Sequence, residues 1–376
     1  MLNKYFAILS LNENEDNIKS LTKTRPLASI PVGGRYRIID FILSNLVNSD
    51  ISNVGILTQS KSRSLMDHLG TGKSWDLDRK LKGLFIFNFE GRNSYLSDIE
   101  MLENNLEYLY RSQQEYVLLA SSQMVCNIDF EKVAKFFEES GSDVTIVYKN
   151  VKDGCSNFLG CNILNINEHG RVLSAGRNIG SEDSINVSMG MCIMKSELLI
   201  NIINECVQTG FYRSIRNWVY KHTETLNVNA FEFSGYLQCV NSISSYYKLN
   251  MDMLNCDVNK DLFFKNGRIF TKVKDEPPTM YYEGSSVHNS LIANGCLIEG
   301  CVENSVLARR VTVGAGAVIK DCIILQNCNI KENVVLQNVI IDKNNVIEAN
   351  KEFKGDMQHP LVIEKTRFIY KYAPKV

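Results

Sequence analysis

A turn rich in glycine and arginine is the part of this sequence best suited to bind a phosphate. It runs from Pro31 to Arg37 and reads Pro-Val-Gly-Gly-Arg-Tyr-Arg, which sets Arg35 and Arg37 close together behind two glycines. The planar guanidinium group of arginine presents paired N–H donors that match phosphate oxygens. The alternative is a basic turn that pairs with a carboxylate or with solvent, and the sequence leaves both interpretations open.

Other residue types that commonly carry chemistry form no cluster. The chain has 11 cysteines and 5 histidines, and no two cysteines stand in a C-x-x-C arrangement. This spacing predicts reduced, mostly buried cysteines. The isolated histidines indicate neither a zinc site nor a catalytic triad.

Length and composition limit the class of protein. The 376 residues are enough for two domains and one large core. The net charge of −1 gives no reason to expect binding to nucleic acid or to an anionic membrane. The longest early apolar run, Phe6–Leu9, is too short for a signal peptide or a membrane span, so we expect a cytoplasmic protein.

Apolar runs typical of buried strands alternate with helical patterns through the first two thirds of the chain. This alternation predicts an α/β domain with a mostly parallel sheet covered on both faces. Ligands of such sheets bind at the carboxyl ends of the strands, so we expect the site in the loops after Leu9 and Ala120. The predicted strands are Tyr5–Leu9, Val54–Thr58, Tyr116–Ala120 and Asp143–Tyr148, and the predicted helices lie near 38–49, 98–113 and 130–140.

The last quarter of the chain repeats with a period of six residues, and the two inward positions of each hexad predict a parallel β-helix. We place the first domain at 1–258, a linker at 259–282, and the β-helix with a C-terminal tail at 283–376. One inward frame contains Val306, Val318, Ile324, Ile330 and Leu336, with Thr312 as an exception, and the other contains Cys322, Cys328, Val334, Ile340 and Val346.

The stretch around the basic turn resembles one enzyme family over a long linear run. The matching segments are Pro31–Phe41, Leu43–Asn45, Gly55–Gln59, Lys61–Ser62 and Trp75–Asp76. They are similar to glucose-1-phosphate adenylyltransferases, which transfer the adenylyl group of ATP to glucose 1-phosphate and release diphosphate. The resemblance implies a Rossmann-like nucleotidyltransferase domain followed by a left-handed parallel β-helix.

Against this family, the phosphate loop of the chain is degenerate. The family has a glycine-rich turn before a Leu-Thr pair, and counting back from Leu21-Thr22 reaches Asn12, Glu13, Glu15 and Asn17 at the family's glycine and arginine positions. Like charges in a partly desolvated cleft oppose the binding of a triphosphate. The interpretation that we prefer is a solvated acidic loop that has lost this task.

The metal ligands that the resemblance implies are also absent from the sequence. Gln123 stands where the family has its catalytic aspartate, and Cys239 stands where the family has a second one. A neutral amide is a much weaker ligand of Mg²⁺ than a carboxylate. We therefore expect no metal or cofactor in this chain, with Mg²⁺ only in a catalytic partner.

Two further groups of residues follow from the resemblance. A vestigial sugar-phosphate pocket would contain Arg177, Ser188 and Gly190, although Arg177 is displaced from the position of the family's lysine, and a plain core strand is the alternative for Ser188 and Gly190. An effector region would contain Arg35, Arg37, Gln59 and Lys61, because the family binds its activator near the equivalent turn.

The chain keeps the segments expected to form the family's scaffold but not the residues expected at its catalytic site. This combination resembles the GlgD-type, non-catalytic subunits of the family. The resemblance implies a regulatory chain that assembles with a catalytic, GlgC-type subunit, by analogy a heterotetramer, and that answers to a phosphorylated sugar. One alternative is an active adenylyltransferase with unusual ligands such as Asp129. Another is a stand-alone sugar-phosphate sensor.

Overall fold

The computed structural model describes residues 2–59, 61–89 and 96–365. The strands of the first domain are β1 Tyr5–Ser10, β2 Pro31–Val32, β3 Tyr36–Arg37, β4 Asn53–Thr58, β5 Gly83–Asn88, β6 Tyr116–Ala120, β7 Met124–Val125, β8 Val144–Val151, β9 Asn162–Ile166, β10 Val172–Arg177, β11 Ile185–Lys195, β12 Val228–Glu232 and β13 Gln238–Cys239. The α-helices are α1 Lys19–Thr22, α2 Ile38–Asn48, α3 Arg63–Leu69, α4 Asp98–Glu103, α5 Leu106–Ser112, α6 Phe130–Ser140, α7 Ser196–Thr209, α8 Ile215–Lys221, α9 Ile243–Asp252 and α10 Cys256–Phe264. Leu27–Ser29 and Lys73–Trp75 form 3-10 turns.

One large sheet organises the first domain. Its strand order is β10-β9-β11-β6-β1-β4-β5, and β8 and β12 extend it from β11. Strands β6, β1, β4 and β5 run parallel, whereas β11 pairs antiparallel with β6 and β8. Alternate residues of β1 pack toward α2 and α6 on one face and toward α4 and α7 on the other. Burial on both faces explains the continuous apolar runs and confirms the predicted α/β sheet.

The helix predicted near 98–113 is wrong as a single element. Helix α4 ends at Glu103 and α5 begins at Leu106. Between them, the side-chain amide of Asn104 donates to the carbonyl of Glu100, and that of Asn105 donates to the carbonyl of Met101. Asparagine side chains that bond to the local backbone compete with helical hydrogen bonds, which is why the periodic pattern breaks here.

The second domain is the predicted left-handed β-helix. Its strands are β14 Met280–Tyr281, β15 Ser286–His288, β16 Leu291–Ile292, β17 Leu297–Ile298, β18 Cys301–Glu303, β19 Val306–Leu307, β20 Thr312–Val313, β21 Val318–Lys320, β22 Ile323–Ile324, β23 Asn329–Ile330, β24 Val335–Gln337, β25 Val339–Ile341, β26 Val346–Ile347, β27 Glu352–Lys354 and β28 Leu361–Ile363. They form three parallel sheets, β14-β17-β20-β23-β26, β15-β18-β21-β24-β27 and β16-β19-β22-β25-β28. The predicted tail from residue 366 onward lies outside the described residues.

A strict six-residue frame is wrong, because the later coils contain 17 residues instead of 18. One corner of each coil is one residue shorter, with Asn304, Asp321 or Asn338 at a φ of 51° to 53°. Val318 and Val346 therefore point outward and are 43% and 52% exposed. Ile340 is buried against the first domain. The inward row is Val302, Leu307, Val313, Ile319, Ile324, Ile330, Leu336, Ile341 and Ile347.

The two domains share a continuous apolar interface. Helices α9 and α10 pack against β22 and β25 in one cluster of buried side chains. The hydroxyl of Tyr247 donates to the carbonyl oxygen of Asp321 at a shorter corner, over 2.8 Å. Beside this interface, Arg25 forms an ion pair with Asp342, and the two side chains are only 4% and 2% exposed. None of the helices within the described ranges is long and apolar enough to span a membrane.

We expect Asp342→Asn to destabilise the protein strongly. The change leaves the guanidinium of Arg25 buried without its carboxylate, which costs about 3–5 kcal/mol in comparable buried pairs. Urea unfolding followed by circular dichroism measures the free energy of unfolding. The matched control is Glu348→Gln, which breaks the exposed pair with Lys331 and should cost about 0–1 kcal/mol. Equal losses in both variants would contradict this account of the interface.

Candidate functional site

A cleft of about 540 Å³ opens at the carboxyl ends of β1 and β6. Its volume is in the range of small-molecule sites, which is roughly 300–1,000 Å³. The loops that the sequence assigned to chemistry, after Leu9 and Ala120, both line it. The predicted site residues on its walls are Asn12, Glu13, Asn17, Gln123, Arg177, Ser188 and Gly190.

Glu13 occupies the place where the loop after β6 presents hydrogen-bond donors. Its carboxylate accepts from the backbone N–H of Ser122 over 2.8 Å and from the Ser122 hydroxyl over 2.7 Å. Burial raises the pKa of the Glu13 carboxyl, while these two bonds and the charge of Arg216 oppose that rise. The N–H and the hydroxyl of Ser122 are thus already bound to a carboxylate of the chain itself. A phosphate would have to displace that carboxylate to reach them.

The rest of the acidic segment is held in place from both sides. The side-chain amide of Gln59 donates to the Oδ1 atom of Asn12 over 2.8 Å. One carboxylate oxygen of Glu15 accepts from the backbone N–H of Leu27 over 2.8 Å, and the other accepts from Lys61 over 3.2 Å. Gln59 and Lys61 therefore contact the degenerate loop. Their regulatory role stays a prediction.

Gln123 lines one edge of the cleft, and the buried Cys239 lies on the strand paired beside it. Strands β7 and β13 pair antiparallel with Met124 opposite Cys239, and the N–H of Val240 donates to the carbonyl of Gln123 over 2.8 Å. The backbone of Asn17 also joins this edge through a bridge to Ser242. Sequence reasoning thus selected two positions that the fold does bring together.

These two side chains do not fit Mg²⁺. A hydrogen bond with the Cys161 thiol, together with burial, raises the pKa of Cys239 well above its ordinary value. A protonated thiol and a neutral amide are poor partners for a cation that prefers carboxylate oxygens. Asp129, the alternative ligand, instead caps α6 by accepting from the N–H of Glu131 over 3.0 Å, and it does not line the cleft.

The sugar-side residues lie on the opposite wall. Arg177 ends β10, and its Nε donates to the carbonyl of Gly160 over 3.3 Å. The Ser188 hydroxyl shares a hydrogen bond of 2.8 Å with that of Tyr220 on α8. Gly190 has a φ of +65°, which a residue with a side chain rarely adopts. The structure thus brings Arg177, Ser188 and Gly190 to one wall, while their binding role stays a prediction.

Two functional candidates were missed in the sequence. Arg213 and Arg216, just before and within α8, both line the cleft opposite the acidic segment. Their Arg-x-x-Arg spacing was visible in the sequence. That spacing does not by itself indicate a binding site. Only the packing of α8 against the sheet turns these side chains toward the cleft.

Arg35 and Arg37 belong to a second basic region, where the first domain meets the β-helix. Burial lowers the pKa of Arg37 to about 10, and the charges of Arg25 and Arg309 add to this effect. Burial, with the charge of Arg35, lowers the pKa of Arg309. We call the mutually repelling cations the basic junction, and its members are Arg25, Arg35, Arg37, Lys274, Arg309 and Lys343.

Comparison with known proteins agrees with this architecture. Residues 17–176 match the nucleotidyl transferase family model, and residues 278–359 match the GlmU-like, C-terminal hexapeptide model. The chain is 36% identical over 366 residues to the glycogen biosynthesis protein GlgD of Bacillus subtilis, a match that covers 96% of each chain. It is 34% identical over 314 residues to the glucose-1-phosphate adenylyltransferase of Mycoplasma mobile, which covers 81% of each. The chain belongs to the glucose-1-phosphate adenylyltransferase family.

A third relative supports the same placement. The GlgD protein of Geobacillus stearothermophilus is 37% identical over 324 residues, a match that covers 85% of this chain and 84% of the relative. The matches extend through both domains, so the family resemblance of the basic turn is confirmed over nearly the whole chain. The chain belongs to this family and keeps its fold. The replacements predicted at Gln123 and Cys239 therefore bear on whether the chain is active.

Restoring the carboxylates should create a cation site without restoring adenylyl transfer. We expect Gln123→Asp combined with Cys239→Asp to bind Mn²⁺ more tightly than the parent chain in calorimetry, because carboxylates then replace a neutral amide and a thiol on the paired strands β7 and β13 and their flank. ADP-glucose should still not form, because Glu13 continues to hold the donors of Ser122. The single variants serve as controls for cation binding, and circular dichroism checks their folding. Turnover by the double variant near an ordinary enzyme rate of about 10 s⁻¹ would contradict this view of the loop.

Lys343→Met should stabilise the protein at neutral pH. Burial lowers the pKa of Lys343 to about 6 in the folded chain, whereas an unfolded lysine titrates near ~10.4. Between these values the unfolded chain binds one more proton, so stability rises with pH across that window.

Methionine removes this dependence, and we expect the free energy of unfolding at pH 7 to rise by about 1–3 kcal/mol. Urea unfolding at pH 7 and pH 9 should show a gap between the two proteins that narrows at the higher pH. The exposed Lys331→Met is the control and should show no such trend. A gap that widens with pH would contradict the lowered pKa of Lys343.

Proposed function

We propose that this chain is a non-catalytic regulatory subunit of glucose-1-phosphate adenylyltransferase in bacterial glycogen biosynthesis. Its catalytic partner would convert ATP and glucose 1-phosphate to ADP-glucose and diphosphate. The observation that carries the proposal is the carboxylate of Glu13 bound to Ser122, next to ligand positions held by Gln123 and Cys239. The relatives named for glycogen biosynthesis support the pathway.

The chain would act through assembly. Both domains of the family are present and joined by a buried interface, so the surfaces that the family uses to assemble can be retained while the cleft is altered. A subunit that binds better to the competent state of its partner shifts the partner toward that state. By analogy with the family we propose a heterotetramer, with Mg²⁺ bound only by the catalytic chains.

The basic junction is the proposed effector site. Its cations gather from the glycine turn, the linker and the β-helix, and burial, followed by repulsion from neighbouring cations, lowers the pKa of Arg309 and of Lys274. An anion such as a phosphorylated sugar would relieve this repulsion and tighten the contact between the two domains. Binding that differs between two states of the complex gives coupling of about 1–3 kcal/mol, or roughly 5–150-fold in affinity.

Mixing experiments test assembly and modulation. We expect the chain to co-elute with a catalytic adenylyltransferase subunit encoded in the same genome, with the mass of a heterotetramer by light scattering. Alone, the chain should form no ADP-glucose. In the complex, the rate or the effector concentration for half-activation should change by about fivefold or more. Absence of a stable complex together with an unchanged rate would refute the proposal.

A charge variant separates effector binding from assembly. Arg35→Gln should keep the complex intact and weaken its response to a phosphorylated effector, because one cation of the junction is removed. Arg79→Gln is the matched control, since Arg79 pairs with Asp76 on the surface and lies outside the junction. An equal effect of both variants would mean that the junction is not the effector site.

A stand-alone sugar-phosphate sensor is the second candidate. It is favoured by the three arginines that line the cleft, Arg177, Arg213 and Arg216. In that case the chain would bind its ligand with the same affinity whether or not a catalytic subunit is present. Calorimetry with and without the partner distinguishes the two functions, because a regulatory subunit must show coupled binding.

A further inference from the structure

Two thiols that are far apart in sequence meet beside the cleft. Cys161 immediately precedes β9, and Cys239 is the last residue of β13. Both belong to one buried apolar cluster, in which they are 6% and 1% exposed. The thiol of Cys239 donates a hydrogen bond to that of Cys161, and this bond, together with burial, raises the pKa of Cys239 well above its ordinary value.

The buried cysteines of the β-helix differ from this pair. The thiols of Cys296, Cys322 and Cys328 donate to backbone carbonyl oxygens over 3.0 to 3.2 Å. Such contacts satisfy a small apolar residue in a core and give it no partner for chemistry. A thiol whose partner is a second thiol is different, because two sulfurs in contact can be joined by oxidation.

The backbone holds the two cysteines in register. On one side of Cys239, the side-chain amide of Gln238 donates to the Oδ1 of Asn157 over 3.2 Å. On the other side, the Nδ2 of Asn241 lies 3.8 Å from the Sγ of Cys161. The same two segments are therefore connected before and after the thiols, and the contact between the sulfurs is fixed by the fold.

The two thiols differ in how a small molecule can reach them. Cys161 lines the cleft of about 540 Å³, whereas Cys239 is enclosed and only 1% exposed. A small oxidant that enters the cleft therefore meets Cys161 first. Redox-sensing cysteines are often accessible and placed next to a resolving cysteine. The geometry gives Cys161 the first of these roles and Cys239 the second.

We propose that Cys161 and Cys239 are a redox modification site, at which a peroxide produces a reversible disulfide within the chain. One oxygen of hydrogen peroxide is transferred to the sulfur of Cys161, which gives a sulfenic acid and releases one water. The sulfur of Cys239 then attacks that of Cys161. The S–S bond forms, the S–O bond breaks, and the hydroxyl group leaves with the proton of Cys239 as a second water.

The disulfide would connect a wall of the cleft covalently to β13. Leu159, Gly160 and Asn162, which flank Cys161, also line the cleft. Oxidation would thus limit the movement of this wall, and a dithiol reductant would release it by thiol–disulfide exchange. This inference holds whether or not the chain modulates a partner.

Peptide mapping tests the proposal on the full-length, folded chain. The chain is treated with hydrogen peroxide, the remaining thiols are blocked with N-ethylmaleimide, and the digest is analysed by mass spectrometry. We expect a peptide pair joined through Cys161 and Cys239 that is lost after dithiothreitol. The melting temperature should rise on oxidation by about 5 °C, because the closed loop restricts the unfolded chain.

Single variants test the order of the two steps. Cys239→Ser should stop the reaction at the sulfenic acid of Cys161, which dimedone labels, and the linked peptide should be lost. Cys161→Ser should leave Cys239 as a thiol, because the enclosed sulfur is not reached by the oxidant. Thermal melts under reducing conditions identify any serine variant that fails to fold, and the corresponding alanine variant then replaces it.

Two other cysteines provide matched controls. Cys155 is exposed and precedes Cys161 in the same segment, whereas Cys206 is buried in α7. Neither Cys155→Ser nor Cys206→Ser should change the linked peptide. The proposal is overturned if Cys161 is joined to Cys155 instead, or if both proposed cysteines stay reduced while the exposed ones are oxidised. It is equally overturned if the link forms only in a chain unfolded by urea.

Discussion

The contact between Glu13 and Ser122 is the constraint on which the arrangement of the cleft depends. A carboxylate that accepts two hydrogen bonds, one from a backbone N–H, is held by interactions worth about 1.5–3 kcal/mol each when charge is involved. Burial of that carboxylate opposes its charge, yet Gln59 and Lys61 fix the segment on either side of it. The backbone N–H and the hydroxyl of Ser122, which lie at the carboxyl end of β6, are therefore satisfied within the chain.

In the basic junction, by contrast, positive charge is concentrated. There, cations from distant parts of the chain are held close together, although burial and mutual repulsion lower the pKa values of several of them. Repulsion of this kind costs stability, and the apolar interface between α9, α10 and the β-helix supplies the energy that keeps the region together. In the cleft, the neutral amide of Gln123 stands beside the Glu13 carboxylate, whereas the junction concentrates positive charge.

Much of the fold could be predicted because burial leaves a direct pattern in the sequence. Strand β6 and helix α6 have the predicted bounds, and β1 and β4 differ from theirs by one residue. Each of these elements buries a continuous run or a helical stripe against the central sheet. The β-helix was also recognisable, but its exact frame was not. A corner shortened by one residue at Asn304, Asp321 and Asn338 moves Val318 and Val346 to the outside, and a strict count of six cannot detect it.

The sequence by itself determined the family and the order of the domains, because these depend on residue identity along a linear run. Only the tertiary structure decided where the charges act. It placed Lys61 on Glu15, paired Arg25 with Asp342 of the β-helix, and turned Arg216 toward Gly190 and the unsatisfied hydroxyl of Ser121. The physical reason is that these groups are far apart in sequence. Their energies depend on distance and burial, which arise only when helices, sheet and β-helix pack together.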